Sequence, residues 1–193
     1  MLKKLVIIII LMFANINLFA QQYTFGIKLT GLSIHPGGAQ NAHIMKYKID
    51  EKGVFVFNPG IRLSFEYFIY KDIVSIKFDQ GFYRDCANQF AGFSHIGIRG
   101  RIFQIGNHSL NGGIGPTFFF RRNWYKIDGY IEDDDFFRGG PNDNWQRRFF
   151  WWGGEFEYNY RINERIEFST SLIPIIPPII PGSIHLGIRI LNN

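Results

Sequence analysis

Eight stretches of this chain alternate apolar and polar side chains with a two-residue period, and that recurrence constrains the fold more than any other feature. A period of two places successive side chains on opposite faces of a strand. In the first stretch Tyr23, Phe25, Ile27 and Leu29 share one face, and Thr24, Gly26, Lys28 and Thr30 the other. The same pattern recurs around Ile61–Ile69, Val74–Phe82, Ile96–Ile102, Leu110–Phe120, Trp152–Tyr160, Ile166–Leu172 and Ile184–Ile190. Each stretch has about the 9–11 residues that a tilted strand needs to cross a lipid bilayer.

The connections point the same way. Four are long, at roughly 32–53, 84–92, 122–148 and 174–182. Three are short, at Tyr70–Asp72, Gly106–His108 and Arg161–Glu164. Long and short alternate strictly, as they do in a barrel with tight turns at one membrane face and loops at the other. Aromatic residues fall where interfacial girdles belong. Tyr67, Tyr70, Tyr158 and Tyr160 lie at the short-turn ends, and Phe82, Phe118, Phe120, Trp124 and Trp152 towards the long loops. The expected fold class is therefore all-β, an eight-stranded antiparallel up-and-down transmembrane β-barrel. A soluble lipocalin-like lipid carrier shares the alternation but would turn its apolar face inward. Glycines 26, 97, 113, 115, 153 and 187 on the polar face suit a narrow lumen better than a solvated surface.

Residues 1–20 read as a signal peptide: Lys3 and Lys4, then the apolar run Leu5–Phe13, then Ala20 before Gln21. Residues 21–193 form the barrel domain. Removing Lys3 and Lys4 leaves 19 basic and 16 acidic side chains, a net +3, which is too mild and dispersed for a nucleic-acid partner. With the single cysteine Cys86 the mature part holds no C-x-x-C redox or metal motif, and no spacing calls for a metal or another cofactor.

The polar face carries Lys28, Arg62, Lys77, Arg99, Arg101, Arg121 and Arg189 against Glu66, Asp79, Glu155, Glu157 and Glu167. Eight strands leave room inside for side chains only. Charges confined there must pair, because an unpaired buried charge is very costly. The expectation is a charge-paired, closed lumen, with a narrow ion path as the rival. His95 falls on this face, and its neighbour Ser94 points the other way, so the two do not form a side-by-side catalytic pair. His108-Ser109 falls at a short turn. The third long loop holds the acidic run Glu132–Asp135 and the aromatics Tyr130, Phe136, Phe137 and Trp145. These rings are the candidate ligand-binding residues, since exposed aromatics mark recognition surfaces. The fourth loop, Ile173–Pro181, is apolar and Pro-rich.

The stretches Phe93–Arg101, Gly112–Pro116 and Leu186–Ile190 give the chain a resemblance to small outer-membrane barrels of the OmpA/OmpX type, closer still to the "porin family" outer-membrane β-barrel proteins of the Bacteroidetes kind. The resemblance implies an outer-membrane address. It also implies contacts with outer-membrane lipid and lipopolysaccharide, the barrel insertion machinery, and a surface ligand or protein partner. A structural or surface-binding role follows from it. The alternative is an outer-leaflet enzyme that modifies lipid A as an acyl transferase or deacylase.

Overall fold

The computed structural model describes residues 22–35, 37–132, 136–173 and 182–192. The expected signal peptide, the acidic residues 133–135 and most of the fourth loop lie outside the described residues.

Eight strands close into one antiparallel barrel in sequence order: β1 (Tyr23–Ile34), β2 (Phe55–Tyr70), β3 (Val74–Arg84), β4 (Phe90–Ile105), β5 (His108–Arg122), β6 (Trp145–Arg161), β7 (Ile166–Ile173) and β8 (Gly182–Asn192). Each strand pairs with its chain neighbours, and β1 closes on β8 from Tyr23↔Asn192 to Ile34↔Gly182. Closure leaves no sheet edge, so every strand can satisfy its backbone donors and acceptors without water. This is the architecture that the resemblance implied.

The alternation decides which way the barrel turns. On β1 the even-numbered Thr24, Lys28 and Thr30 are buried, while Leu29 is 67% exposed. Ile98 is 63% and Ile105 72% exposed, whereas Lys28 and Arg62 are each 1% exposed. Apolar side chains outside and charges inside are the inverse of a soluble barrel. That polarity excludes the lipocalin-like carrier and makes the chain an integral membrane barrel. The glycines of the inner face permit close strand approach. A Cβ at Gly187 would stand 2.0 Å from the Ile27 carbonyl, and one at Gly115 would stand 2.1 Å from that of Ile96.

Several strands reach further than the alternation suggested. β2 starts at Phe55, β4 at Phe90 and β6 at Trp145. Phe55 and Phe57 continue the outward apolar row beyond Pro59, a residue the ladder tolerates because β1 shifts register between Thr30 and Leu32 there. The outer wall also holds a polar pair. The Ser94 hydroxyl donates to Gln80 Oε1 at 2.7 Å, and Gln80 Nε2 donates to the Phe93 carbonyl at 2.8 Å. These bonds satisfy most of the polar capacity of both side chains on a lipid-facing surface. Ser94 is thus turned away from His95, which bonds Thr117 Oγ1 at 2.7 Å inside.

Candidate functional site

Ten charges fill the middle of the barrel, five cations (Lys28, Arg62, Lys77, Arg99, Arg189) and five carboxylates (Glu66, Asp79, Glu155, Glu157, Glu167), all buried. They form a continuous zigzag. Arg62 holds Asp79 through Nε at 2.9 Å and Nη2 at 2.6 Å, and Nη2 also reaches Glu155 at 2.5 Å. Lys77 links Glu155 at 2.9 Å to Glu157 at 2.6 Å. Glu157 further takes Lys28 and, at 2.7 Å, Arg99. Arg99 crosses to Glu66 at 2.7 Å, Glu66 pairs with Arg189, and Arg189 reaches Glu167 at 2.8 Å. The Ser75 hydroxyl donates to Glu66, and the Ser171 hydroxyl accepts from Arg62 Nη1 at 2.8 Å. The strands impose this, because the register sets Arg62 between Lys28 and Gly81, and Glu66 opposite Lys77.

Arg101 needs correction. Expected within this network, it instead pairs with Asp72 at 2.8 Å at the short-turn rim, where Asp72 is 45% exposed. Arg101 lies two residues nearer the short turns than Arg99 and just past the end of the β3–β4 ladder at Val74↔Gly100, which places it at the mouth and not in the middle.

At the opposite end the loops build a cap with its own small core of Met45, Val56, Cys86, Ala87 and Trp124. Three loops are tied together by specific bonds. Asn41 Nδ2 donates to the Ile131 carbonyl at 2.8 Å, and Ile131 N donates back to Asn41 Oδ1 at 2.9 Å. Trp124 Nε1 donates to Asp85 Oδ2 at 2.7 Å, and Tyr47 N donates to the Cys86 carbonyl at 2.9 Å. Trp124, expected in the outer girdle, is therefore a buried cap residue. Arg121 follows it inward, with its guanidinium 3.8 Å from the Trp124 ring centroid and 4.1 Å from that of Phe137.

Between cap and charge network lies a cavity of about 130 Å³. Its floor is Phe93, whose ring has the Arg62 guanidinium 5.8 Å from its centroid and the His185 ring 6.3 Å away. Phe119, Phe136, Phe137 and Ile173 line its apolar sides. Its polar residues include Thr30, Asn58, Ser183 and His185. Ser183 Oγ lies 2.9 Å from His185 Nε2, and His185 Nδ1, buried, has no hydrogen-bond partner among the described residues. No carboxylate bonds that nitrogen, so an imidazolium formed by proton transfer from Ser183 would lack the stabilising partner that a nucleophile–base pair requires. The pair is suited to binding a polar atom.

The four loop aromatics do not act together. Phe136 and Phe137 are half-buried and line the cavity, packed edge-on against each other with ring centroids 4.9 Å apart. Tyr130 packs edge-on against Trp124 and Tyr125 within the cap. Trp145 opens β6 on the outer wall, against Phe90 and Phe120. Sequence reasoning missed Ser183 and His185 as a pair. Their spacing of two on one strand was the available signal.

Outside the spanning strands, burial raises the Asp85 carboxyl above its ordinary range despite the hydrogen bonds from Gln89 N and Trp124 Nε1. Burial, then the Asp85 charge, pushes the Cys86 thiol up to about 12. Burial, then Arg121, holds His35 below the ordinary histidine range.

No protein-family model matches the chain, and no curated protein matches it. Among solved structures it is similar to the N-terminal β-barrel domain of Pseudomonas aeruginosa OprF, at 12% identity and TM-score 0.48, covering 88% of this chain and 97% of that one. It is also similar to Yersinia pestis Ail, the attachment invasion locus protein, at 10% identity and TM-score 0.47, covering 89% and 97%. Neisserial surface protein A gives 10% identity and TM-score 0.47, with 90% and 98% covered.

Proposed function

We propose that this chain is an integral outer-membrane barrel, exported with a cleaved signal peptide, which binds a small and mostly apolar ligand at its outer mouth. The cavity between loop cap and charge network carries this proposal. Apolar walls with few polar groups are the usual composition of a small-molecule site. The unpartnered His185 Nδ1 supplies one directional contact, since a buried polar atom without a partner costs about 1–3 kcal/mol until a ligand or water meets it. Beneath the floor, five cations matched by five carboxylates leave no net charge to draw an ion through. A plugged barrel, and not a conducting one, is therefore the function of the lumen.

The test uses purified protein in phosphatidylcholine nanodiscs, titrated with toluene or benzyl alcohol and followed by methyl NMR at Ala91 and Ile173. Saturable shifts confined to cavity-lining residues are expected. Benzyl alcohol should bind about fivefold tighter through one hydrogen bond to His185. Ala91→Leu should abolish both responses by filling the space. No saturable shift with either probe would sink the proposal.

A further inference from the structure

A second candidate site lies on the outer wall, where β5 and β6 meet the third loop. The register sets Phe118 beside Phe149 and, one step nearer the loops, Phe120 beside Arg147. The loop then lays Arg138 against Arg147 through two backbone bonds of 2.8 Å each. The result is an open groove of about 580 Å³, lined by Arg138, Arg147 and Arg148 together with Phe118 and Phe149. Just towards the barrel's middle, Trp151 and Trp152 are exposed outward. Arg138 and Arg147 are exposed and form no ion pair among the described residues, while Asp143, the one described carboxylate lining the groove, accepts from Gly140 N at 2.8 Å. Gly139 lines the groove at φ 142°, in backbone space that a side chain rarely adopts, so nothing projects from that position.

Exposed guanidiniums bordering a lipid-facing aromatic band are a layered arrangement, cationic outside and apolar inside. A bilayer leaflet presents the complementary layers, with its phosphates outside and its acyl chains inside. Guanidinium forks match phosphate oxygens bidentately, and Trp and Phe settle at the headgroup boundary. We propose that this groove holds the phosphorylated headgroup of an outer-leaflet lipid, with Arg138 and Arg147 on the phosphate and an acyl chain along Phe118, Phe149 and Trp151. The inference rests on the outer-membrane placement, with long loops outward, and is independent of the mouth cavity.

Binding is measured by native mass spectrometry of the folded barrel in neutral detergent, with diphosphoryl lipid A and its dephosphorylated form as probes. The wild-type protein should retain the phosphorylated form preferentially. In R138Q/R147Q its affinity should fall about thirtyfold, roughly fivefold for each guanidinium, with the dephosphorylated form unaffected. Arg165→Gln, at the short-turn end, is the charge control and should match the wild type. Heat-dependent gel migration shows that each variant is folded, and R138K/R147K should recover part of the preference. Equal retention of both lipids, or equal loss in the Arg165 control, would overturn the site. Displacement by an equimolar amount of inorganic phosphate would show that a free anion suffices and would overturn the lipid assignment. In parallel, brominated phosphatidylcholine should quench the exposed tryptophans. Quenching without phosphate preference refutes this site alone, whereas no quenching refutes the membrane placement beneath it.

Discussion

Glu157→Gln should unbalance the lumen more than any other single change of one atom type. Its carboxylate takes Lys28, Lys77 at 2.6 Å, Arg99 at 2.7 Å and Arg189 at 3.5 Å, so one acid serves four cations. At 2.7 Å and an effective dielectric of about 20, each close contact is worth about 6 kcal/mol of gross attraction. Desolvation of the same groups offsets most of it. Removing one partner of a buried ion pair costs about 3–5 kcal/mol, because the charge left behind stays buried. The folded-to-unfolded ratio should therefore fall by two to four powers of ten. Urea unfolding in phosphatidylcholine vesicles, read by tryptophan fluorescence and gel mobility, measures this. The structure also names the rescue. In K28M/E157Q the four remaining cations each keep a carboxylate: Arg62 has Asp79, Lys77 has Glu155, and Arg99 and Arg189 share Glu66. The double variant should regain about 2 kcal/mol over E157Q alone. A loss below about 1 kcal/mol in E157Q, or a double variant no more stable than the single, would refute pairing as the reason these charges are buried.

Three further outcomes follow from the cap. Cys86 is buried with its thiol pushed up to about 12, so folded protein at pH 8 should resist maleimide labelling and boiled protein should label fully; rapid labelling of the folded barrel would contradict the cap. Trp124→Phe keeps an aromatic ring but removes the indole donor to Asp85, and should cost the cap about 2 kcal/mol, seen as faster amide exchange across residues 123–132 with the barrel's own unfolding unchanged. His35 is held below its ordinary range, so the unfolded cap binds the proton more tightly; cap stability is then fully present above about pH 6.5 and lost as the pH falls below it. His35→Gln should flatten that acid limb in the same exchange measurement, and an unchanged limb would assign it to another group.

Two-residue alternation made the barrel legible, because a strand with lipid on one side and packed side chains on the other writes its orientation at every position. The even-numbered charges Lys28, Arg62 and Glu66 could be assigned to the lumen before any partner was known. Arg101 escaped because alternation reports which face a side chain takes and not where along the barrel the neighbouring strand ends; the β3–β4 ladder stops at Val74↔Gly100 and leaves Arg101 at the rim. The loop end was far less legible. Asn41, Asp85 and Trp124 have no periodic pattern to mark them, and their partners lie 90 or 39 positions away, at Ile131 and between Asp85 and Trp124. Such contacts depend on where closure of the barrel delivers the strand ends. Closure also explains why the cavity combines Ser183 and His185 from β8 with Phe93 from β4, Phe119 from β5 and the rings of the third loop. Every strand of an up-and-down barrel ends at one of two mouths. The polar inner face of each strand and the apolar tips of the loops must therefore meet at the outer one. A site of mixed character is what that meeting produces, which is why the mouth, and no motif within a single strand, is where binding is to be sought.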